Sequence, residues 1–255
     1  MTTALPRALL IDMDDTILSA YRRPEIAWNN VAAEFASEFA PLSPQHVAAA
    51  IVDAGRKFWA AAEPAWRLKL AEARHEVVKA GFATLGTGGH ALPRDLAVRL
   101  ADRFTAYREE EMFVFPGAHD AIDALKAHGV KLALVTNGAA IDQRAKVERF
   151  GLTHRFDHIQ IEGEHGFGKP EERAYLHAMQ ALGVTAPETW MIGDNLEWEV
   201  VAPQRLGIYA IWIDVHGDGL PAGSTVRPDR IIRSLTELLP RADGRGKSEV
   251  RRRRG

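Results

Sequence analysis

From residue 113 onward the sequence alternates between short apolar runs and amphipathic helical segments, and this alternation limits the possible fold more than any other feature. The predicted strands are 130–135, 158–161, 189–192, 208–213 and 231–232. The predicted helices between them are 116–128, 139–150, 171–182 and 196–206. Because strands that alternate with helices pair in parallel through crossover connections, the pattern predicts an α/β protein with an open, doubly wound parallel sheet.

An apolar run at residues 8–11 adds one more predicted strand near the N-terminus, and three carboxylates follow it directly. Asp12, Asp14 and Asp15 repel one another and lose hydration when packed, so their crowding requires a cation or a proton. A hard divalent cation such as Mg²⁺ prefers oxygen ligands of this kind. The alternative interpretation is a strand end followed by a solvated acidic turn, since Asp is a common turn former.

The segment between these two parts has the composition and periodicity of helices. Its apolar residues recur at helical spacing in four stripes, which start at Trp28, Val47, Leu70 and Leu96. Helix starts are predicted at Ser43-Pro44 and Glu63-Pro64, and a break between helices at 85–89. Because this stretch is too long for a loop, we predict an all-helical domain over residues 17–112, inserted into a core formed by residues 1–16 and 113–240.

Composition limits the class of protein and its partners. The chain has 255 residues, of which 46% are hydrophobic and 26% charged, and a net charge of −2 that gives no bulk attraction to nucleic acid or an acidic membrane. The absence of cysteine excludes thiolate metal sites and a cysteine nucleophile and fits a reducing compartment. No apolar run reaches membrane-spanning length, so a cytoplasmic protein is expected. The Arg-rich segment 241–255 is predicted to be a disordered basic tail, with a nucleic-acid-binding arm as the alternative.

Polar residues follow several predicted strands, at the edge where ligands bind in open parallel sheets. Asp12 follows residues 8–11, Thr136 and Asn137 follow the next central strand, and Asp194 follows the strand at 189–192. Lys169 comes after a predicted glycine-rich loop at 163–168 and just before a helix. Each residue taken singly has an ordinary structural explanation as a cap, a solvated lysine or a turn former. Together, carboxylates, a hydroxyl, an ammonium and helix-start amides at one sheet edge suit a metal-bound phosphate.

These residues give the chain a resemblance to the haloacid dehalogenase-like hydrolases, specifically to the phosphatase branch with a helical cap after the first strand. The family's four motifs stand here as Asp12-Met13-Asp14-Asp15-Thr16, Leu134-Val135-Thr136-Asn137-Gly138, Gly168-Lys169-Pro170, and Gly193-Asp194 with Glu199. The resemblance covers residues 5 to 240, weakly in the cap, and implies a Rossmann-like core. The four motifs together are highly specific, whereas any one alone is not.

The resemblance also implies catalytic roles. Asp12 would be the nucleophile that forms an aspartyl-phosphate, and Asp14 would protonate the leaving oxygen and then deprotonate water. Thr16 would orient the first loop. True dehalogenases lack an acid where Asp14 stands, because halide needs no protonation, so Asp14 favours an oxygen leaving group. Phosphonate hydrolysis by a cap lysine is disfavoured for the same reason.

The family implies binding roles for the remaining motif residues. Thr136, Asn137 and Lys169 would bind the phosphate group, with Thr136 and Lys169 also acting in catalysis. The implied ligands of Mg²⁺ are Asp12, Asp14 through its backbone carbonyl, and Asp194. The fourth motif usually ends in Asp, but position 199 is Glu, whose extra methylene would shift the carboxylate. Glu199 is therefore expected to partner Lys169 or a metal-bound water, and Glu197 is another candidate.

Residues of the helical segment are candidates for contacts with the leaving group. The cationic candidates are Arg22, Arg23, Arg56, Lys57 and Arg67, and the ring-stacking candidates are Trp59 and Trp66. Packing and solvated helix faces explain such residues equally well. His154 and His158 stand four apart but flank a predicted loop that enters a strand, so a structural role is expected rather than a zinc site.

The pattern as a whole predicts a Mg²⁺-dependent phosphatase that hydrolyses a small-molecule phosphomonoester through an aspartyl-phosphate. Two alternatives are a phosphosugar mutase, which uses the same motifs, and a non-catalytic binding protein, which has no need of the full set. The expected partner is a small phosphate ester, with neither nucleic acid nor membrane involved. The chain is expected to be a monomer or a homodimer.

Overall fold

The computed structural model describes residues 4–21, 23–85 and 92–240. Its strands are β1 (Ala8–Ile11), β2 (Leu18–Ser19), β3 (Phe113–Val114), β4 (Lys131–Thr136), β5 (His158–Ile161), β6 (Thr189–Gly193), β7 (Tyr209–Ile213) and β8 (Arg230–Ile232). Six of these strands form one sheet in the order β5-β4-β1-β6-β7-β8, and every neighbouring pair in it is parallel. The predicted parallel α/β sheet is therefore confirmed.

Helices after residue 117 cover both faces of this sheet, and helices within residues 24–110 pack apart from it. The helices are α1 (Pro24–Glu34), α2 (Pro44–Ala61), α3 (Leu70–Thr84), α4 (Arg94–Glu110), α5 (Ala118–Ala127), α6 (Ala140–Arg149), α7 (Glu162–His165), α8 (Glu172–Leu182) and α9 (Ala202–Arg205). Leu9 and Ile11 of β1 pack in one cluster with α5, while Ala8 and Leu10 pack in another with α8. Because alternate residues of a strand point to opposite faces, β1 is buried on both sides, as its unbroken apolar run predicts.

Helices α1 to α4 pack on one another around a separate hydrophobic cluster, and residues 24–110 are called the helical insert below. Within it, the Trp28 and Phe104 rings stack with centroids 3.7 Å apart. At the base of the insert, β2 pairs antiparallel with β3, so that Leu18 lies opposite Val114. The range 17–112 is therefore not entirely helical, because β2 lies inside it. The predicted boundaries at 16/17 and 112/113 stay predictions.

The structure differs from the sequence prediction in three local details. Glu63-Pro64 begins a short 3₁₀ helix, Pro64–Leu68, and α3 starts only at Leu70. The predicted helix 196–206 opens with a π-helix, Leu196–Val201, before α9. The predicted glycine-rich loop at 163–168 instead begins within α7.

Two predicted segments fall outside the described residues. The break predicted at 85–89 lies outside them except for Leu85, the C-cap residue that follows α3, and the tail 241–255 lies wholly outside. Over the part of the chain that is described, no helix combines the length and apolar character needed to cross a membrane.

Candidate active site

Three predicted site residues lie at the carboxyl ends of neighbouring strands, at one edge of the sheet: Thr136 ends β4, while Asp12 and Asp194 directly follow β1 and β6. The parallel register places Ile11 opposite both Leu134 and Ile192, and Asp12 N–H donates to the Ile192 carbonyl at 2.9 Å. Asp12, Thr136 and Asp194 therefore emerge side by side. All three line a cavity of about 770 Å³ between the sheet edge and the helical insert.

Lys169 lies fully buried between two carboxylates at this edge. Its Nζ donates to Asp12 Oδ1 at 2.5 Å and lies 2.8 Å from Glu199 Oε1. Burial opposes the charge on Lys169, but the two carboxylates outweigh burial and raise the Lys169 pKa well above its ordinary value. Burial also raises the pKa of Asp12, an effect that the Lys169 ammonium opposes. The ammonium is thus charged and held against the predicted nucleophile.

Glu199 reaches Lys169 through local backbone geometry. Its second oxygen accepts from Asn195 N–H at 2.7 Å, and its side chain is almost completely buried on the wide turn of the π-helix. A Cβ at position 193 would lie 2.1 Å from Glu199 Cγ, so Gly193 makes room for this carboxylate. Glu197, the other candidate, instead forms an exposed ion pair with Arg205 at 3.3 Å.

The side chain of Asn137 holds the backbone of Lys169. Asn137 Nδ2 donates to the Lys169 carbonyl at 2.7 Å, and Asn137 Oδ1 accepts from Lys169 N–H at 2.9 Å. This leaves the side-chain amide engaged in positioning the lysine. The phosphate-binding role predicted for Asn137 stays a prediction.

Asp14 lies in a network that includes Tyr21, Gln143 and Lys146, none of which a sequence motif predicted. Lys146 Nζ lies 2.9 and 2.8 Å from the two Asp14 oxygens and donates to Tyr21 Oη at 2.7 Å. Gln143 Nε2 donates to Asp14 Oδ2 and to Thr136 Oγ1, each at 3.0 Å. Gln143 and Lys146 are three residues apart on α6, so they share a face of that helix. That spacing is the sequence signal from which a shared role of Gln143 and Lys146 could have been predicted.

The loop after β1 is held by Asp15 rather than by visible contacts of Thr16. Asp15 has a positive φ of 59°, and its Oδ1 accepts from Ala20 N–H at 2.9 Å and Tyr21 N–H at 3.1 Å. The Thr16 hydroxyl is buried and has no hydrogen-bond partner among the described residues. The orienting role predicted for Thr16 therefore stays a prediction.

The helical insert lines the opposite wall of the cavity with cations and aromatic rings. The residues of this wall that matter below are Trp28, Arg56, Trp59, Arg67, Arg74, Phe104 and Arg108. Of these, Arg56, Trp59 and Arg67 were candidates from the sequence, whereas Arg74 and Arg108 were not. Arg74 donates to Thr105 Oγ1 at 2.9 Å and forms no ion pair with a carboxylate in the described part of the chain.

Three other candidates of the helical segment do not line this cavity. Arg23 lies 3.6 Å from Asp218, and Lys57 pairs with Asp53 at 2.7 Å on an exposed helix face. Trp66 packs edge-on against Phe58 inside the insert. These three side chains are accounted for by structural contacts, and Arg22 lies outside the described residues.

The donor set at the sheet edge fits a Mg²⁺ ion. Mg²⁺ is usually bound through one or two carboxylates and keeps several waters. Asp12 and Asp194 supply two carboxylates at the ends of adjacent strands, and both line the cavity. Burial of Asp12 disfavours its charged form, so a nearby cation would stabilise that form.

Comparisons with known proteins agree with this geometry. A family model described as haloacid dehalogenase-like hydrolase matches residues 6–207. Phosphoserine phosphatase from Thermus thermophilus is 35% identical over 145 residues, which cover 56% of this chain and 56% of that protein. The chain spans about half the length of the curated relatives it matches.

Two solved structures have a similar fold over most of the chain. The HAD-hydrolase YfnB from Bacillus subtilis, solved bound to magnesium, is 26% identical with a TM-score of 0.66, covering 92% of this chain and 97% of that one. The HAD phosphatase from Thermococcus onnurineus is 25% identical with a TM-score of 0.60, covering 91% and 95%. The family model covers most of the chain, and the sheet brings the four motif segments to one edge. The chain therefore belongs to the haloacid dehalogenase-like hydrolase family.

Proposed function

We propose that this protein is a Mg²⁺-dependent phosphatase that hydrolyses a small-molecule phosphomonoester through an aspartyl-phosphate on Asp12. The observation that carries the proposal is the buried Lys169 ammonium held 2.5 Å from Asp12, a carboxylate that lines the same cavity as Asp14. A carboxylate with an adjacent fixed cation suits attack on an anionic phosphate. Relatives named as phosphatases support the same reaction class.

Asp12 is the nucleophile in this proposal. Its Oδ1 is paired with Lys169, so the other oxygen attacks phosphorus, and the bond from phosphorus to the leaving oxygen breaks in line. Asp14 gives its proton to that leaving oxygen. In the second half, Asp14 takes a proton from water, whose oxygen attacks the phosphorus and releases Asp12.

Lys169 and Thr136 bind the phosphoryl oxygens during both steps. Lys169 is fixed before substrate arrives, because Asn137 holds its backbone and Glu199 holds its ammonium. Preorganised donors stabilise the charge of the transition state without reorganisation. Asp12, Asp194 and the Asp14 carbonyl would hold Mg²⁺, which when bound supplies positive charge that offsets the repulsion between carboxylate and phosphate.

The helical insert acts as a cap that covers the reacting groups and selects the leaving alcohol. Arg74 faces the cavity without a carboxylate partner in the described chain, and burial lowers its pKa because the charge is partly desolvated. The stacked Trp28 and Phe104 rings give the same wall an apolar patch. The substrate class that fits is a phosphomonoester whose alcohol carries a second anionic group.

The test is inorganic phosphate release from matched esters with and without a second anionic group, with Mg²⁺ or with EDTA. We expect Mg²⁺-dependent release that is lost, by about 1,000-fold or more, in Asp12→Asn, because the amide is not a nucleophile. Circular dichroism checks that this variant is folded. Unaltered turnover in Asp12→Asn contradicts the nucleophile assignment. Phosphorylated product with little free phosphate points to a mutase instead.

A further inference from the structure

Three histidines converge on one point outside the candidate active site. His158 begins β5, His165 lies in α7 and His177 lies in α8. One ring nitrogen from each of the three lies within 4.8 Å of the others, and none of the three lines the cavity described above. His154, which the sequence paired with His158, is exposed and is not part of this group.

Hydrogen bonds determine which nitrogen two of these rings offer. His165 Nδ1 lies 3.1 Å from the Ile161 carbonyl, which can only accept, so Nδ1 carries the proton. His177 Nδ1 lies 2.8 Å from Gln160 Oε1, while Gln160 Nε2 donates to the Ala174 carbonyl at 2.9 Å. That second bond orients the amide with its oxygen toward His177. In the neutral form of both rings, Nε2 is therefore the nitrogen that offers a lone pair.

The third ring contains a buried nitrogen that has no partner. His158 Nε2 is solvent-inaccessible and makes no hydrogen bond to any described residue. A buried polar atom without a hydrogen bond costs free energy of folding, and a bound ion is one explanation for such an atom. Burial, together with the neighbouring His177 and His165 rings, lowers the pKa of His158.

We propose that His158, His165 and His177 form a binding site for a divalent transition-metal ion such as Zn²⁺, with a fourth position left for water. Imidazole nitrogens suit Zn²⁺, Ni²⁺ and Cu²⁺. The nitrogens of a tetrahedral Zn²⁺ site stand about 3.4 Å apart at Zn–N distances of about 2.0–2.1 Å. Small ring rotations therefore close the present spacing of up to 4.8 Å.

The surroundings of two of the rings, those of His165 and His177, match those of metal-binding histidines. Such histidines typically donate their other ring N–H to a carbonyl or carboxylate group, which fixes the ring and its tautomer. The Ile161 carbonyl and the Gln160 side chain occupy those positions for His165 and His177. This site is also chemically distinct from the sheet-edge carboxylates, because Mg²⁺ prefers oxygen ligands.

An ion bound to the three histidines would connect the two ends of the segment 165–177, which contains Lys169. His165 and His177 flank the stretch that contains Lys169, and His158 belongs to the edge strand on which α8 packs. The ion would thus join α7, α8 and β5 around the loop that presents the lysine. Since an ion that binds only the folded state stabilises it by mass action, metal should raise the thermal midpoint of the whole chain.

The test is a Co²⁺ titration of the EDTA-treated, dialysed full chain in excess Mg²⁺, which keeps Co²⁺ from the carboxylate site. We expect one Co²⁺ per chain, with the intense visible absorption of a low-coordinate nitrogen site and a rise in thermal midpoint. His165→Gln and His177→Gln should each weaken Co²⁺ binding at least about tenfold, since even losing an outer partner of such a ligand costs about 10- to 100-fold. The matched control His154→Gln should bind Co²⁺ like the unmodified chain.

Circular dichroism without metal shows whether each variant is folded. Because His165 is partly exposed on a short helix, we expect His165→Gln to fold. If His177→Gln does not fold, His165→Gln alone decides the test. Absence of the absorption band, or equal Co²⁺ affinity in the unmodified chain and His165→Gln, overturns the proposal. The result is independent of phosphatase activity, because neither readout requires turnover.

Discussion

At the scale of single residues, the position of Asp14 is the most informative feature of the site. Lys146 contacts both of its oxygens, and Gln143 links it to Thr136. The Asp14 and Lys146 side chains are both largely buried, at 13% and 12% exposed, so their pairing is only weakly screened by water. Asp14 is thus held in a defined direction before a substrate enters.

We expect Asp14→Asn to slow hydrolysis of alkyl phosphates by about 100- to 10,000-fold, because a poor leaving group requires a proton donor. Activated aryl phosphates leave without protonation and should lose much less. Steady-state kcat for one ester of each kind, measured at the same pH, gives the comparison. Equal losses on both esters would show that Asp14 is not the general acid.

We expect Lys146→Met to lower kcat for alkyl phosphates by about 10- to 100-fold, because a misdirected catalytic group loses much of its effect. Lys146→Arg should restore part of the rate. Arg144→Met on the same helix removes a more exposed ion pair with Glu164 and should stay within about twofold. If Lys146→Met changes only KM, Lys146 contributes to substrate binding rather than to directing Asp14.

At the scale of elements, Glu188 holds together the starts of the two central strands. Arg7 Nη1 donates to Glu188 Oε1 at 2.6 Å just before β1, and Arg7 N–H donates to the Glu188 carbonyl just before β6. Thr185 N–H and Oγ1 donate to the other Glu188 oxygen at 2.9 and 2.8 Å. The Arg7 guanidinium and the Thr185 donors lower the pKa of Glu188 to about 2.

This pKa predicts a pH-dependent effect of Glu188→Gln. A carboxyl group whose pKa is lower in the folded state than in the unfolded state stabilises the fold at every pH above its unfolded-state pKa, which is 4.5 for Glu188. That stabilisation is lost as the pH falls from 4.5 toward the folded-state pKa of about 2. The variant should therefore have a lower thermal midpoint than the unmodified chain at pH 7, with a gap that narrows below pH 4.5. A constant gap across pH 7 to 3 would contradict the assignment.

At the scale of the whole molecule, an ion pair between Arg67 and Glu162 joins the helical insert to α7, which directly follows β5. Arg67 Nη2 donates to Glu162 Oε1 at 2.7 Å, and the Arg67 guanidinium lies 5.3 Å from the Trp198 ring centroid. Glu162 Oε2 also accepts from Gly138 N–H at 3.1 Å, in the loop after β4. The pair therefore links the cavity wall of the insert to the loop that carries Asn137.

We expect a double-mutant cycle of Arg67→Met and Glu162→Gln to give a coupling of about 1–2 kcal/mol in the free energy of unfolding, because contacting residues in one network do not act additively. Urea unfolding, followed by tryptophan fluorescence and circular dichroism, measures it. The exposed pair Arg99 and Glu38 within the insert serves as control and should give well under about 1 kcal/mol. Equal coupling energies for both pairs would show that the Arg67–Glu162 pair stabilises the fold no more than an exposed surface ion pair does.

The sequence by itself determined the sheet and the edge at which the chemistry lies. The apolar runs are local signals of buried strands, and parallel pairing brings their carboxyl ends together. Asp12, Thr136 and Asp194 follow such strands directly, so their neighbourhood could be predicted without coordinates. Lys169 was expected near the same edge because it stands between a predicted loop and a helix, but the path of that loop, and with it the contact of Lys169 with Asp12, could not be predicted from local pattern.

Only the tertiary structure decided the contacts made by helices and by loops. Lys146 reaches Asp14 across 132 positions of sequence, and the meeting of His158, His165 and His177 depends on how α7 and α8 lie against β5. The engagement of Asn137 with the Lys169 backbone is likewise a product of loop geometry. Periodicity tells which face of a helix is apolar, but not which distant polar group that helix will meet. Such meetings depend on the rotation and translation of packed elements, which short-range sequence patterns do not encode.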